Sequence, residues 1–241
     1  MTSIQQNIEQ ITSQIESAQQ KCGRGRDTVQ LLAVSKTKPV EAILAAAEAG
    51  QRAFGENYVQ EGVDKVDYFN QHHPDLPLEW HFIGPIQSNK SRHVAEKFAW
   101  VHSIDRSKIA QRLNDQRPEG MAPLQVLIQV NTSGETSKSG TSDEEVFALA
   151  ELISTLPNLT LRGLMSIPAN VPDYQSQLAA FTHLAQLQQK LTQRLPEQNI
   201  DTLSMGMSGD MEAAITAGST MVRIGTAIFG ARDYSRRNSM S

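Results

Sequence analysis

The sequence predicts an α/β fold, and within that class a single (β/α)8 TIM-type barrel with an extra N-terminal helix. Short β-rich apolar runs alternate along the chain with amphipathic helical segments, the order in which parallel strands and their crossover helices occur. Eight such runs can be counted and the chain has 241 residues, which is the size of one barrel of this kind. An open doubly wound sheet is the alternative that this pattern leaves open.

The N-terminal helix precedes every predicted strand. Ser3 and Gln6 form a capping box, and isoleucines then recur at helical spacing at Ile4, Ile8, Ile11 and Ile15. The eight predicted strands follow at Leu31 to Lys36, Ala53 to Glu56, Glu79 to Gly84, Trp100 to Ile104, Gln125 to Asn131, Leu161 to Ile167, Thr202 to Gly206 and Met221 to Ile224.

Several predicted helices between these strands have recognisable ends. Pro39 stands near a first turn, and Gly50 follows a last turn. Ser142 and Glu145 form a second capping box. The helix from Tyr174 carries a stripe of apolar side chains, which are Leu178, Phe181, Leu184, Leu191 and Leu195.

Composition narrows the classes of function. The net charge is −4 and the estimated isoelectric point is 5.9, so the chain has no basic footprint for nucleic acid or an acidic membrane, and we expect a small-molecule partner. Cys22 is the one cysteine, which excludes a disulfide framework and favours a reducing compartment. Because the N-terminus lacks a signal-peptide pattern and no apolar run is long enough to span a membrane, we expect a cytoplasmic protein.

We expect residues 1–241 to form one domain that ends in a flexible tail over residues 232–241. Hydrophobic residues make up 39% of the chain, and no linker or repeat suggests a second domain. The tail holds the one concentrated positive charge, from Arg232 to Arg237, which is typical of a solvated chain end. We expect the barrel to be a monomer.

Lys36 is the first candidate functional residue. In a barrel of this type the functional groups lie where the strands end and the βα loops begin. Lys36 closes the first predicted strand, in the run LLAVSKTKP, after four apolar residues and Ser35. A lysine amine partly withdrawn from water is a competent nucleophile toward an aldehyde. The alternative is a strand-end lysine that extends into solvent.

The loops after the seventh and eighth strands carry residues typical of a phosphate site. Barrels of this type often bind phosphate there, through backbone N–H groups and helix N-termini. Ser208 and Gly209 precede a predicted helix that ends near Gly218, and Gly225 is followed by the amide and hydroxyl of Thr226. Taken singly, Ser208 also fits a helix N-cap and Gly225 a turn residue. Their joint placement favours an anion site.

Arg223 interrupts the last apolar strand, between Val222 and Ile224. A buried charge needs a partner. Arg223 therefore either pairs with an acidic residue such as Glu212 or Asp201, or faces a ligand inside the barrel.

His81 adjoins Trp80 in the run EWHFIG, and only one of the two side chains can face the barrel interior. A packed histidine is the expected state of His81. Elsewhere the sequence has no His, Asp and Glu cluster at metal-ligand spacing, no GxSxG elbow and no dinucleotide-binding glycine fingerprint. Metal-dependent or serine hydrolysis and dinucleotide binding are therefore weakly supported.

Six runs of the sequence resemble one known family along nearly the whole chain. They are LLAVSKTKP, FGENYVQE, EWHFIGPIQSNK, LRGLMSIP, LSMGMSGDMEAAI and VRIGTAIFG. The family is that of the pyridoxal phosphate homeostasis proteins, which are single-barrel proteins that bind pyridoxal 5′-phosphate (PLP). The barrel is also similar to the N-terminal domain of alanine racemase and to other fold-type III PLP enzymes.

This resemblance implies a role for each candidate residue. Lys36 would hold PLP as a Schiff base, Arg223 would approach the pyridine nitrogen, and Asn57 would lie beside the ring. The cofactor phosphate would be held by Ser208, Gly225 and Thr226, with Ser204 as a further contact.

The resemblance also implies a function: PLP binding that takes part in intracellular PLP homeostasis, affects amino-acid and keto-acid metabolism, and involves no enzymatic turnover. Arg223 agrees with this, because a guanidinium donates to an unprotonated ring and does not make PLP a strong electron sink. Apo forms of PLP-dependent enzymes would be transient partners. Two alternatives stay open, a PLP-dependent racemase or decarboxylase of fold type III, and a lysine Schiff-base aldolase on a phosphorylated sugar without PLP.

Overall fold

A computed structural model of the chain describes residues 2–136 and 138–232. Within these residues, eight parallel strands pair in chain order and close into a barrel, the first strand pairing with the last. The strands are β1 (Gln30–Val34), β2 (Ala53–Glu56), β3 (Glu79–Phe82), β4 (Trp100–Ile104), β5 (Leu124–Gln129), β6 (Leu159–Met165), β7 (Thr202–Ser204) and β8 (Met221–Ile224).

Helices follow the strands around the outside of the barrel. Those in the described part of the chain are α1 (Ile4–Lys21), α2 (Val40–Glu48), α3 (Val59–His72), α4 (Ser91–Lys97), α5 (Ser107–Gln116), α6 (Glu145–Ser154), α7 (Tyr174–Arg194), α8 (Met211–Ala217) and α9 (Thr226–Phe229), with a short 3₁₀ helix at Ser88–Lys90. The predicted barrel with an extra N-terminal helix is confirmed.

The strands lie where the sequence predicts them, but several end earlier. β1, β3, β5, β6 and β7 each stop two residues before the predicted limit, so Lys36 lies in a turn beyond Val34 instead of closing the strand. Apolar side chains go on covering the barrel end after the hydrogen-bonded ladder has stopped. Ile83 and Ile86, for example, stay buried beyond β3. Hydrophobicity therefore locates a strand without marking its last residue.

Two apolar layers lie on the two faces of the sheet. The larger fills the space between strands and helices and includes Trp80, whose ring lies 5.8 Å from those of both Phe54 and Phe69. Alternate residues of the strands form smaller clusters in the barrel interior. His81 is fully buried there and stacks on Trp100 at 5.2 Å. The expectation of a packed histidine is confirmed.

α1 supports the C-terminal side of the barrel. The predicted capping box is present, since Ser3 accepts from the Gln6 N–H and donates its own N–H to the Gln6 side chain. The helix packs against α2, α8 and α9, and Asn7 donates to the Ile228 carbonyl at 2.8 Å. α1 thereby fixes the two short helices that follow β7 and β8.

The second predicted capping box is only half formed. Ser142 accepts from the Glu145 N–H at 3.2 Å, but the Glu145 carboxylate accepts from the Thr141 hydroxyl at 3.3 Å. A backbone bridge joins Thr141 to Val130 at the exit of β5. This bridge holds Thr141 beside the start of α6, where it replaces the expected partner.

The C-terminal segment returns to the loop after β1. Lys38 donates to the Ala231 carbonyl at 2.6 Å. Of the predicted tail over residues 232–241, Arg232 is described, whereas residues 233–241, with Arg236 and Arg237, lie outside the described residues. Among the helices that the structure describes, none is both long and apolar enough to cross a membrane.

Candidate functional site

The predicted site residues lie on the loops and strand ends at the carboxyl side of the barrel. Lys36 follows β1 and Asn57 follows β2, while the others belong to or follow β7 and β8. β8 pairs with β1 through Ala33 and Ile224. A methyl group added to Gly225 would come 3.2 Å from the Val34 carbonyl, so the Lys36 loop and the Gly225 loop are neighbours.

The turn that carries Lys36 has an unusual backbone. Ser35 is fully buried and Lys36 is half-buried. Thr37 has φ +66°, a left-handed conformation that is rare for a β-branched residue. Both carboxylate oxygens of Glu61 accept from the Thr37 N–H, at 2.9 and 3.0 Å. A side chain of α3 therefore holds the turn beside Lys36.

A buried ion pair lies beneath this turn. The Lys65 ammonium donates to Glu56 at 2.6 Å, to Glu61 at 3.2 Å and to the Ser35 carbonyl at 2.7 Å. The Ser35 hydroxyl donates to the same Glu56 oxygen at 3.0 Å. Burial raises the pKa of Glu56 to about 7, and Lys65 opposes that shift. These contacts fix the backbone on both sides of Lys36.

Asn57 lies in the closely packed loop that follows β2. Its Oδ1 is buried and has no hydrogen-bond partner within the described residues. A methyl group on Gly84 would lie 2.2 Å from the Asn57 carbonyl oxygen. Only glycine fits at that position, and its close approach fixes the Asn57 backbone.

Arg223 points into the barrel and is buried. It donates to the Ser204 hydroxyl at 2.7 Å and to the Ser166 carbonyl at 2.9 Å. Burial lowers the pKa of Arg223 to about 10, and Asp210 opposes that shift. The guanidinium therefore stays charged at neutral pH.

The acidic partners considered for Arg223 bind elsewhere. Glu212 pairs with Lys21 at 3.6 Å, and Asp201 pairs with Arg162 at 2.9 Å. The ion-pair alternative for Arg223 with either residue is wrong, because both carboxylates belong to other surfaces of the barrel.

Ser204 is fully buried at the end of β7. Besides Arg223, its hydroxyl contacts His102 Nδ1 at 2.9 Å. His102 Nε2 in turn lies 2.8 Å from His81 Nδ1, and His81 Nε2 lies 2.7 Å from Glu79. The Ser204 side chain thus lies beneath Arg223, at the end of a polar chain through the barrel interior.

The two loops expected to hold phosphate are open to solvent. Ser208 and Thr226 are exposed and Gly225 is half-buried. Asp210, and not Ser208, occupies the N-cap position of α8, and its carboxylate accepts from the Met207 N–H at 2.7 Å. The N-cap alternative for Ser208 is therefore wrong. Ser208 remains in a loop beside the barrel mouth.

The polar atoms at this mouth fit a ligand such as PLP. Like Asn57 Oδ1, the buried hydroxyl oxygens of Thr37 and Ser166 have no partner in the part of the chain that the structure describes. Buried polar atoms normally have partners, so these favour a polar ligand. The Lys36 amine matches the aldehyde of PLP, and the Arg223 guanidinium matches its pyridine nitrogen. The two exposed loops match its phosphate. Within the described residues, no group of three metal-ligating side chains occurs.

Glu61, Lys65 and His102 were not among the sequence-predicted site residues. His102 carries the same signal as His81, a polar side chain at an inward position of an apolar strand, here WVHSI. In the sequence, Glu61 and Lys65 occupy positions of an amphipathic helix that are expected to face solvent. Only the packing of α3 against the β1 turn reveals their contacts.

The barrel and its loops define the class of protein. The family model described as alanine racemase, N-terminal domain, matches residues 6–233. Alanine racemase from Corynebacterium glutamicum superposes with a TM-score of 0.64 at 17% identity, over 93% of this chain and 62% of its own. That likeness shows a shared fold, the barrel of the alanine racemase N-terminal class.

More similar relatives define the family within this class. The pyridoxal phosphate homeostasis protein of Vibrio cholerae is 77% identical over 98% of this chain and 99% of its own, and that of Escherichia coli is 58% identical over 98% and 100%. PipY of Synechococcus elongatus, solved with PLP bound, superposes with a TM-score of 0.82 at 34% identity over 95% of this chain and 100% of its own. The chain belongs to the family of pyridoxal phosphate homeostasis proteins.

Proposed function

We propose that this chain binds PLP reversibly as a Schiff base on Lys36 and takes part in PLP homeostasis in the cytoplasm. The observation that carries the proposal is the placement of Lys36 and Arg223 at the carboxyl end of adjacent strands, β1 and β8. The PLP-bound structure of PipY supports it. By holding and releasing the cofactor, the chain would affect amino-acid and keto-acid metabolism.

Each candidate residue has a part in this proposal. The Lys36 amine condenses with the PLP aldehyde and one water is released. Arg223 donates to the pyridine nitrogen, and the Asn57 amide, whose oxygen is otherwise unpartnered among the described residues, lies beside the ring. The phosphate is held by loop groups of Ser208, Gly225 and Thr226. Ser204 was expected as a further phosphate contact; because it is fully buried against Arg223, its proposed part is instead to support the guanidinium.

The charge of Arg223 argues for binding without turnover. PLP supplies an electron sink when its ring nitrogen is protonated, a state that a carboxylate partner stabilises. Arg223 is buried, donates to two fixed acceptors, and remains cationic at neutral pH. It therefore favours the unprotonated ring and disfavours carbanion chemistry.

An absorbance spectrum tests the binding proposal. The chain reconstituted with PLP is expected to show the near-visible band of a Schiff base, and Lys36→Ala is expected to lose it. Lys38→Ala is the matched control, because Lys38 lies in the same loop and donates to the Ala231 carbonyl; it should keep the band. A band that persists in Lys36→Ala would contradict the proposal.

Transfer of PLP tests the homeostasis role. PLP-loaded protein is mixed with an apo form of a PLP-dependent enzyme, and recovery of that enzyme's activity is compared with recovery in free PLP at matched concentration. We expect the rate or extent of recovery to differ from that with free PLP. Identical recovery would contradict a role in delivery.

A further inference from the structure

A chain of hydrogen bonds crosses the barrel interior from the carboxyl side to the opposite face. It runs from Arg223 through Ser204, His102 and His81 to Glu79, with successive distances of 2.7, 2.9, 2.8 and 2.7 Å. The three middle residues are fully buried, whereas the Glu79 side chain is 44% exposed. Glu79 begins β3, at the end of the barrel away from Lys36.

The two ends of this chain fix the direction of every hydrogen bond in it. Arg223 can only donate, and an ionised Glu79 can only accept. Hydrogen bonding from His81 lowers the pKa of Glu79, so Glu79 is ionised at neutral pH. Starting from Glu79, His81 donates through Nε2–H and accepts at Nδ1, and His102 does the same. The Ser204 hydroxyl then donates to His102 and accepts from Arg223.

Other arrangements of the protons are less favourable. With both rings neutral, the reverse direction would point the lone pair of His81 Nε2 at the Glu79 carboxylate. A cationic His81 or His102 would satisfy the hydrogen bonds. It would, however, place a second buried positive charge in the series of hydrogen bonds that ends on Arg223. Burial lowers the pKa of both histidines. Among the described residues, two further charged groups lie near this series of hydrogen bonds. They are Arg162, whose guanidinium lies 4.9 Å over the Trp100 ring, and Asp210 near Arg223.

We infer that His102 is a positioning residue for Arg223, acting through Ser204 and held in one tautomer by His81 and Glu79. His102 fixes the Ser204 proton, so that the Ser204 oxygen presents a lone pair to Arg223. The guanidinium is then held by that oxygen and by the Ser166 carbonyl. It meets its ligand in one orientation and does not reorganise on binding. That the ligand is the ring nitrogen of PLP rests on the proposed function.

This series of hydrogen bonds orients Arg223 and does not conduct protons. Arg223 would have to release a proton for a relay to reach the cofactor, and its pKa of about 10 leaves it charged at neutral pH. Glu79 therefore affects the site by fixing the direction of the hydrogen bonds. It selects the tautomers that make Ser204 an acceptor for Arg223.

Nitrogen-15 NMR of the histidine rings in the full chain without PLP tests the arrangement by itself. Both His81 and His102 are expected as neutral Nε2–H tautomers at neutral pH, assigned with His81→Gln and His102→Asn. Glu79→Gln, whose amide can also donate, should make the Nδ1–H tautomers detectable. A cationic or Nδ1–H His102 in the unsubstituted chain would overturn the inference.

PLP titration tests the effect on the site. His102→Phe, which leaves Ser204 without its acceptor, is expected to weaken PLP binding about tenfold and to shift the near-visible band. His102→Asn, which keeps an acceptor near the position of Nδ1, should restore most of the affinity. Glu79→Gln should shift the band although it lies at the far end of the barrel. Asp75→Asn, at an exposed position in the loop before β3 and outside this series of hydrogen bonds, should not.

The outcomes separate this inference from the proposed function. If the unsubstituted chain forms no PLP band, the proposed function fails, while the tautomer measurement still decides the arrangement. If the unsubstituted chain binds PLP and folded His102→Phe binds it with the same affinity and spectrum, the inference is overturned and the proposed function stands. Should His102→Phe fail to fold, Glu79→Gln decides in the same way.

Discussion

Thr37 carries the backbone strain of the candidate site. Its φ of +66° costs on the order of 1 to 2 kcal/mol for a residue with a Cβ, yet the Glu61 carboxylate accepts its N–H through both oxygens. Lys65 holds Glu61 from the other side at 3.2 Å. The direction in which Lys36 leaves the backbone is therefore set by two residues of α3.

Replacing Glu61 by alanine tests this arrangement. We expect Glu61→Ala to lower the free energy of unfolding by about 2 kcal/mol, because the Thr37 N–H and Lys65 both lose an ionised partner. Gln60→Ala, at an exposed neighbouring position of the same helix, should change it by less than about 0.5 kcal/mol. Urea denaturation measures both variants. Equal losses would show that Glu61 does not hold the turn.

Single residues were predictable from the sequence where a charge or imidazole interrupts an apolar strand, as at His81 and Arg223, or follows an apolar run, as at Lys36. Their partners were not predictable, because contacts across the barrel join residues far apart in the chain. Ser204 lies 19 residues from Arg223, and His102 lies 102 residues from Ser204. Strand register decides which of these side chains meet.

Among the secondary-structure elements, the loops that follow β2 and β3 are in close backbone contact at Gly84. A Cβ at this position would lie 2.2 Å from the Asn57 carbonyl oxygen, a separation at which one of the two loops has to move. This contact was not visible in the sequence, which located both strands but placed the end of β3 two residues too late. The glycine there is required by the approach of a neighbouring loop.

Substitution of Gly84 by alanine is expected to destabilise the barrel by about 1 to 3 kcal/mol through overpacking and to displace Asn57 from the candidate site. Gly25→Ala is the control, since its Cβ would meet nothing closer than 3.9 Å and its φ is not in the left-handed region. Thermal or urea unfolding measures the difference. A Gly84→Ala variant as stable as Gly25→Ala would mean that the two loops are not in contact.

At the scale of the whole molecule, two buried histidines make stability depend on pH. Burial lowers the pKa of His81 and His102, so both are neutral in the folded chain, whereas the unfolded chain protonates them below about 6.5. The unfolded state then binds more protons, and stability falls on acidification. Glu56 acts in the opposite direction, because burial raises its pKa to about 7 from 4.5 and the folded chain gains that proton first.

Because two histidines with lowered pKa values outweigh one carboxyl with a raised pKa, unfolding should take up protons between about pH 6 and 5, and the free energy of unfolding should fall as the pH is lowered through this range. Urea denaturation across this range measures the slope. His102→Asn removes one of the two histidines whose pKa is lowered by burial and should make the slope smaller. A stability that rises on acidification in the unsubstituted chain would contradict the neutral state of the histidine pair.

Barrel closure brings the residues of the candidate site together. The count of eight strands predicts that β1 and β8 are neighbours, and their pairing places the Lys36 turn beside the loop of Gly225 and Thr226. That closure could be predicted from chain length and strand number alone. The orientation of Arg223 beneath the mouth depends on interior packing and could not.

The most direct measurement is to reduce the PLP-loaded chain with borohydride, digest it, and locate the modified lysine by mass spectrometry. Borohydride converts a lysine Schiff base to a stable secondary amine, so the cofactor remains attached to the residue that held it. We expect the added phosphopyridoxyl mass to lie on Lys36. Modification confined to another lysine, or none at all under conditions where PLP is bound, would contradict it.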